Sequence, residues 1–282
     1  MHFVETAEAQ PSNLERTSGQ IKLYPIESFA GMAAAGRLAA SCLDMLVPEV
    51  RDGVSTARLD DLARQFVLDH GALPACVFYR GYRHTICTSL NHVVCHGIPG
   101  GRELRSGDIV NIDVTIVLDG WHGDTSRMFA IGETPRKAQR LMDVTHAAMM
   151  CGIAAVKPGA TLGDIGHAIQ SYAEAERCSV VREFCGHGLG RIFHDAPNIL
   201  HFGRAGEGAV LRPGMMFTVE PMLNLGGPGV KILNDGWTAV TKDKSLSAQY
   251  EHSVGVTETG VQIFTRSPAG LDTPHALDRA AA

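Results

Sequence analysis

The stretch Gly107–Arg127 reads GDIVNIDVTIVLDGWHGDTSR. Side chains alternate across a strand, so Val110, Ile112, Val114 and Ile116 share one face, and Asn111, Asp113 and Thr115 share the other. Asp119-Gly120 favours a two-residue type I′ turn, in which both positions take positive φ. It predicts a hairpin in which Leu118 pairs with Trp121 and Thr115 with Asp124. Asp113 and Asp124 then become diagonal neighbours on the polar face. Carboxylates that close repel unless a proton or a cation lies between them. A solvated edge hairpin also accommodates two acids, so the hairpin alone leaves both readings open.

The bulk numbers narrow the field. At 282 residues, 45% hydrophobic and 20% charged, the chain suits a soluble globular protein with one large domain or two small ones. A net charge of -5 and a pI near 6.2 give no basic footprint for nucleic acid. No apolar run suggests a membrane span. The opening MHFVETAEAQPSNLERTS has neither the basic end nor the apolar core of a secretion signal, so a cytoplasmic location without a membrane partner is expected. The seven cysteines (Cys42, Cys76, Cys87, Cys95, Cys151, Cys178 and Cys185) form no CxxC pair and are expected to be reduced thiols.

A repeated plan organises the rest. Leu104–Asp113 (LRSGDIVNID) and Leu211–Glu220 (LRPGMMFTVE) share a Leu-Arg-x-Gly entry, a strand and an acid at the tenth position, 107 residues apart. GVSTARLDDLARQF from Gly53 and GATLGDIGHAIQSY from Gly159 both read as loop-to-helix starts, 106 residues apart. Leu59, Leu62 and Phe66 stripe the first helix, and Ile165, Ala168, Ile169 and Tyr172 the second, with Thr161 and Asp164 as a capping pair. Asp119-Gly120-Trp121 recurs as Asp235-Gly236-Trp237. Three matches in one order predict a duplicated α+β unit with a central antiparallel sheet and outer helices. The expected organisation is a flexible tail over 1–20, one catalytic domain over 21–265 with halves of about 21–135 and 136–265, and a second tail over 266–282.

The duplication gives each half an acid at one strand position. Glu220 lies within the apolar run MFTVEP, and Glu251 opens a third strand in AQYEHSVGV. Four converging carboxylates require cations, because an isolated buried carboxylate is costly. A nitrogen donor would favour transition metals over calcium or magnesium. Of the 13 histidines, His187 stands out in FCGHGLG, where Gly186, Gly188 and Gly190 permit close approach. His96 (VVCHGIPG) and His194 (RIFHDAPN) also sit beside turn-forming residues.

Together Asp113, Asp124, His187, Glu220 and Glu251 resemble the five-ligand dinuclear site of the methionine aminopeptidases, within the pita-bread (creatinase/aminopeptidase) fold family. CHGIP, DIVNIDV, HGDTSRMF, CGHGLGR, FTVEPM and Tyr250-Glu251-His252 match in order, over about Ile21–Thr265. The chain is similar to the short type I enzymes, with neither the helical insertion of type II nor an N-terminal zinc-binding extension. The resemblance implies that Asp124 and Glu251 bridge two divalent ions, that Asp113 completes one shell, and that His187 and Glu220 complete the other. Cobalt, manganese or iron would suit the site, with zinc an alternative. Such ions would lower the pKa of a shared water so that hydroxide attacks the carbonyl, with Glu220 shuttling the proton. His194 would stabilise the oxyanion, and His96 would hydrogen-bond the peptide nitrogen beyond the cleaved bond. The methionine pocket maps onto Cys76, Tyr79, Tyr82, Cys87, Phe193 and Trp237, with His96 and His194 beside it. Gly81-Tyr82-Arg83-His84 departs from the family, whose members commonly carry proline after the tyrosine. Asn91, Val93 and Ser247 match a monovalent-cation site.

The implied substrates are nascent polypeptide N-termini with a small second residue, met at the ribosome by a monomeric enzyme. A proline-specific dipeptidase or aminopeptidase shares the ligands but usually carries an extra N-terminal domain. A non-catalytic binding module on this fold tends to lose ligands, and a creatinase-like hydrolase predicts a longer chain.

Overall fold

A computed structural model of the chain describes residues 3–5, 19–77 and 79–274. Strands Ile109–Leu118 and Trp121–Ala130 form the expected hairpin. Leu118 faces Trp121, Thr115 faces Asp124 and Asp113 faces Ser126. Asp119 and Gly120 take φ of 50° and 76°, as a type I′ turn requires. Strands Ile86–Leu90 and Leu73–Pro74 pair along the free side of Ile109–Leu118, so that strand is internal and the solvated-edge reading fails.

Helices α1 (Phe29–Leu46) and α2 (Thr56–Asp69) cover the apolar face of this sheet. Val110, Ile112, Val114 and Ile116 are fully buried there against Leu43, Leu46, Leu59 and Val67. Helix α1 comes within bare backbone distance of the hairpin: a Cβ on Gly123 would lie 2.3 Å from the Ala35 carbonyl oxygen. With its flanking turns, Ile26–Glu49 is long and apolar enough to cross a membrane, contrary to the expectation from sequence. Its apolarity has another cause, because two structures cover it. The hairpin packs on one side, and Phe264 approaches Gly36 on another. Its Asp44 pairs with buried Arg127 of the hairpin at 2.9 Å.

The second half repeats the scheme. Helices α3 (Arg136–Ala154) and α4 (Leu162–Ala175) pack on an antiparallel sheet ordered Asp195–Ile199, Gly186–Gly188, Met216–Val219, His252–Val256, Val261–Ile263. Both equivalent helices are capped. Ser55 Oγ accepts from the Arg58 N–H, and Thr161 and Asp164 form a reciprocal capping box. The halves join where the Glu251 N–H donates to the Ser126 carbonyl at 3.1 Å and Asn111 Nδ2 donates to the Gln249 carbonyl at 2.8 Å. The result is an α+β pita-bread architecture with antiparallel sheets at its centre.

One expectation is corrected. Glu220 is not inside a strand: the ladder ends at Val219, because Pro221 has no N–H to donate, and pairing resumes at Met222–Asn224 in a different sheet. Phe3–Glu5 pairs in parallel with Ile21–Leu23, and Ser267 Oγ donates to the Asp44 carboxylate at 2.8 Å. Residues 1–2, 6–18 and 275–282 of the expected tails lie outside the described residues.

Candidate metal centre

All five acid and imidazole candidates reach one cavity of about 350 Å³. Asp113 comes from the middle of its strand and Asp124 from the diagonal position on the partner strand. His187 sits on the short strand Gly186–Gly188, pinned between Met216–Val219 and Asp195–Ile199. That pinning explains the neighbouring glycines: a Cβ at position 188 would lie 2.0 Å from the Ala196 carbonyl oxygen. Ligand atoms of Asp124, His187 and Glu251 all lie within 4.8 Å of one another. His187 Nε2 is 3.6 Å from Asp124 Oδ2 and 3.7 Å from Glu220 Oε1. These gaps exceed a hydrogen bond. They suit donors that share a first-row ion, each about 2.0–2.2 Å from it.

The electrostatics agree. Burial drives the carboxyls of Asp113, Asp124, Glu220 and Glu251 upward, and their mutual charges raise those of Asp124, Glu220 and Glu251 further. Burial pushes the His187 imidazole down to about 4, so its ring is neutral and able to ligate at neutral pH. Asp113 Oδ1 is buried without a hydrogen-bond partner. An orphaned acceptor among three other acids is what a cation would satisfy, so the residues fit divalent metal.

Several supporting residues were not read from the sequence. Thr115 Oγ1 donates to Asp124 Oδ1 at 2.7 Å. Thr218 Oγ1 donates to Glu220 Oε1 at 2.7 Å while accepting the His187 N–H at 3.0 Å. Gln249 Nε2 donates to Glu220 Oε2 at 3.3 Å, and the Glu220 N–H donates to His201 Nε2 at 3.2 Å. A period of two gave a usable signal for three of them: Thr115, Thr218 and Gln249 each lie two residues from a ligand. His201 offers no local signal.

The other candidates line the same cavity. Cys76, Tyr79, Tyr82, Cys87, His96, Phe193, His194 and Trp237 all take part. Trp237 meets Tyr82 edge-on at 5.0 Å and His96 at 6.0 Å. The Tyr82 hydroxyl donates to the Ile86 carbonyl at 2.9 Å. Two residues after Tyr82, His84 Nδ1 meets Asp60 Oδ2 at 3.1 Å. His194 stacks on Tyr79 at 4.9 Å and lies 4.2 Å from the His187 ring. Burial lowers the pKa of both His96 and His194, leaving neutral rings able to donate a proton in a hydrogen bond. Cys95, Phe184 and Met222 also line the cavity and had not been singled out.

Asn91 and Ser247 adjoin: the Ser247 N–H donates to the Asn91 carbonyl at 2.8 Å, and Ser247 Oγ is buried without a partner. Val93 begins the neighbouring strand Val93–Cys95. The Asn91 side chain is committed to Asp108 and the Ile109 N–H.

Four acids and one imidazole around a cavity, on a duplicated antiparallel scaffold, define a metal-dependent hydrolase of pita-bread fold. The chain belongs to metallopeptidase family M24, whose pattern matches residues 30–258. It is 55% identical over 255 residues to the methionine aminopeptidase of Rickettsia prowazekii, spanning 90% of this chain and 98% of that one. It is 54% identical over 235 residues to methionine aminopeptidase A of Synechocystis, spanning 83% and 93%. The crystal structure of the Rickettsia prowazekii enzyme superposes with a TM-score of 0.87 over 87% of this chain and all of that one. The prolidase of Pyrococcus furiosus, 18% identical with a TM-score of 0.68, covers 86% of this chain and 65% of its own, and shares the fold.

Proposed function

We infer that this chain is a metal-dependent aminopeptidase that releases N-terminal methionine from proteins and peptides, preferring a small second residue. The observation that carries this reading is the adjacency of the five-ligand cluster to a cavity walled by soft and aromatic groups. Cys76, Cys87, Tyr82 and Trp237 offer polarizable surface to an unbranched thioether beside the carboxylates. The identity to methionine aminopeptidases supports the same reading.

We assign two divalent ions to Asp113, Asp124, His187, Glu220 and Glu251, with Asp124 and Glu251 shared; cobalt, manganese or iron suit one imidazole and four carboxylates. Such ions supply Lewis acidity, lowering the pKa of water and polarising a carbonyl. We assign Glu220 to take and return the proton of that water, its carboxylate held by Thr218 and Gln249. Neutral His194 donates towards the oxygen that gains charge as the bond breaks. Neutral His96, held in a left-handed backbone conformation (φ 56°) beside Trp237, donates towards the far side of the cleaved bond. The orphaned Ser247 hydroxyl supports a monovalent cation near Asn91 and Val93. The substrates are nascent N-termini at the ribosome, met in the cytoplasm by a monomer.

The proline-specific reading is less favoured, because the likeness to prolidase is one of fold at low identity. Asp124→Ala and His187→Ala are expected to lose methionine release at every metal supplied. Full activity in either variant would refute the assignment.

A further inference from the structure

The lining of the cavity has a marked imbalance of charge. Five carboxylates line it, from Asp113, Asp124, Glu183, Glu220 and Glu251, against one guanidinium, from Arg80. The four carboxylates of the metal centre are occupied by cations in the working enzyme. Glu183 already accepts the backbone N–H groups of Val230 and Arg182. Arg80 is exposed, forms no ion pair among the described residues, and is the one cationic side chain of the cavity lining beside the histidines.

Its position is built into the fold. Arg80 takes φ 47° and ψ 30°, a left-handed conformation that costs a non-glycine residue on the order of 1–2 kcal/mol. The turn is fixed by the Tyr79 N–H donating to the Cys76 carbonyl at 3.0 Å and the Tyr82 N–H donating to the Tyr79 carbonyl at 2.9 Å. Arg80 Cζ lies 5.3 Å from the centre of the Tyr79 ring, which stacks on His194. Arg80 lines the same cavity as Tyr79 and His194, on a wall within reach of the residues that follow a first residue seated in the methionine pocket. They meet five unpaired N–H donors in a planar fork, the geometry that suits a carboxylate.

We propose that Arg80 sets specificity downstream of the cleaved bond, taking the carboxylate of an acidic side chain at the third or fourth position of the substrate. This inference rests on the aminopeptidase reading and adds a preference to it. Because the pair is solvent-exposed, the expected gain is about two- to fivefold. It shrinks as salt is raised, since exposed charges are screened.

The test compares kcat/KM for Met-Ala-Glu-Ser with Met-Ala-Lys-Ser, and for Met-Ala-Ser-Glu with Met-Ala-Ser-Lys, using metal-loaded wild type, Arg80→Gln and Arg80→Glu. The wild type is expected to favour the acidic member of at least one pair. The preference disappears in Arg80→Gln and inverts in Arg80→Glu. A Glu/Lys ratio that is the same in all three proteins overturns the inference while leaving the aminopeptidase intact. Failure of the wild type to release methionine from any peptide overturns both.

Discussion

The Thr218 hydroxyl holds Glu220 by donating to Oε1 at 2.7 Å, and Thr218 Oγ1 itself accepts the backbone N–H of His187 at 3.0 Å. One small side chain thus fixes the spacing of two candidate ligands that lie 33 residues apart in the chain. Thr218→Val keeps the shape and removes both hydrogen bonds. It is expected to fold, to weaken divalent-metal binding by roughly 10–100-fold, and to lose activity in proportion at limiting metal. Thr218→Ser should recover most of the affinity. Unchanged metal affinity in Thr218→Val, measured by calorimetric titration, would remove Thr218 from the site.

Protons compete with metal for the same oxygens. In the metal-free protein burial pushes the carboxyls of Asp113 and Glu220 up to about 7 and about 8. Groups raised in the folded state bind more protons folded than unfolded, so the metal-free fold loses stability as pH rises from about 4 through about 8. Metal binding reverses this by replacing protons with cations. Metal uptake at pH 6.5 should therefore release protons, seen as a buffer-dependent heat, and the stabilisation by metal should be larger at pH 8.5 than at pH 6. Equal stabilisation at both values would contradict the raised carboxyls.

Asp235 shapes the methionine pocket from outside it. Its Oδ1 accepts the N–H groups of Trp237 at 2.9 Å and Thr238 at 2.8 Å, fixing the loop that presses Trp237 against Tyr82 and His96. Asp235→Ala is expected to raise KM for Met-Ala-Ser several-fold, from a loss of about 1 kcal/mol, with a smaller effect on kcat. Asp235→Asn, which keeps an acceptor, should lie close to wild type. A fall in kcat alone would show that the loop does something other than shape the pocket.

Gly188 tests the strand that carries His187. A methyl group there would lie 2.0 Å from the Ala196 carbonyl oxygen, which is backbone and cannot swing away. Gly188→Ala should destabilise the protein by at least about 1–3 kcal/mol and displace the imidazole-bearing strand, lowering metal content together with Tm. A variant with wild-type Tm and metal content would mean that the neighbouring strand yields easily.

Much of this was legible because the hairpin is local. A two-residue turn fixes register, register fixes faces, and Asp113 and Asp124 follow as diagonal neighbours. The polar face proved buried, with Asn111 and Thr115 each 2% exposed, because the second half of the molecule closes over it through Ser126 and Glu251. That closure joins residues more than a hundred positions apart, and no local pattern encodes it. The duplicated acids pointed to it only indirectly. The apolar length of helix α1 likewise reflects cover from the hairpin and from Phe264, both distant in sequence. His201, which braces Glu220 from a loop, left no periodic trace.

The central claim is that this cavity takes methionine and that its acids act through metal. Its most direct test is hydrolysis of Met-Ala-Ser and of Ala-Pro by chelator-stripped protein re-supplied with one divalent metal at a time. The account predicts no turnover without metal, release of free methionine from Met-Ala-Ser on adding cobalt, manganese or iron, and no cleavage of Ala-Pro. Cleavage of Ala-Pro alone, or silence on both peptides with metal demonstrably bound, would contradict it.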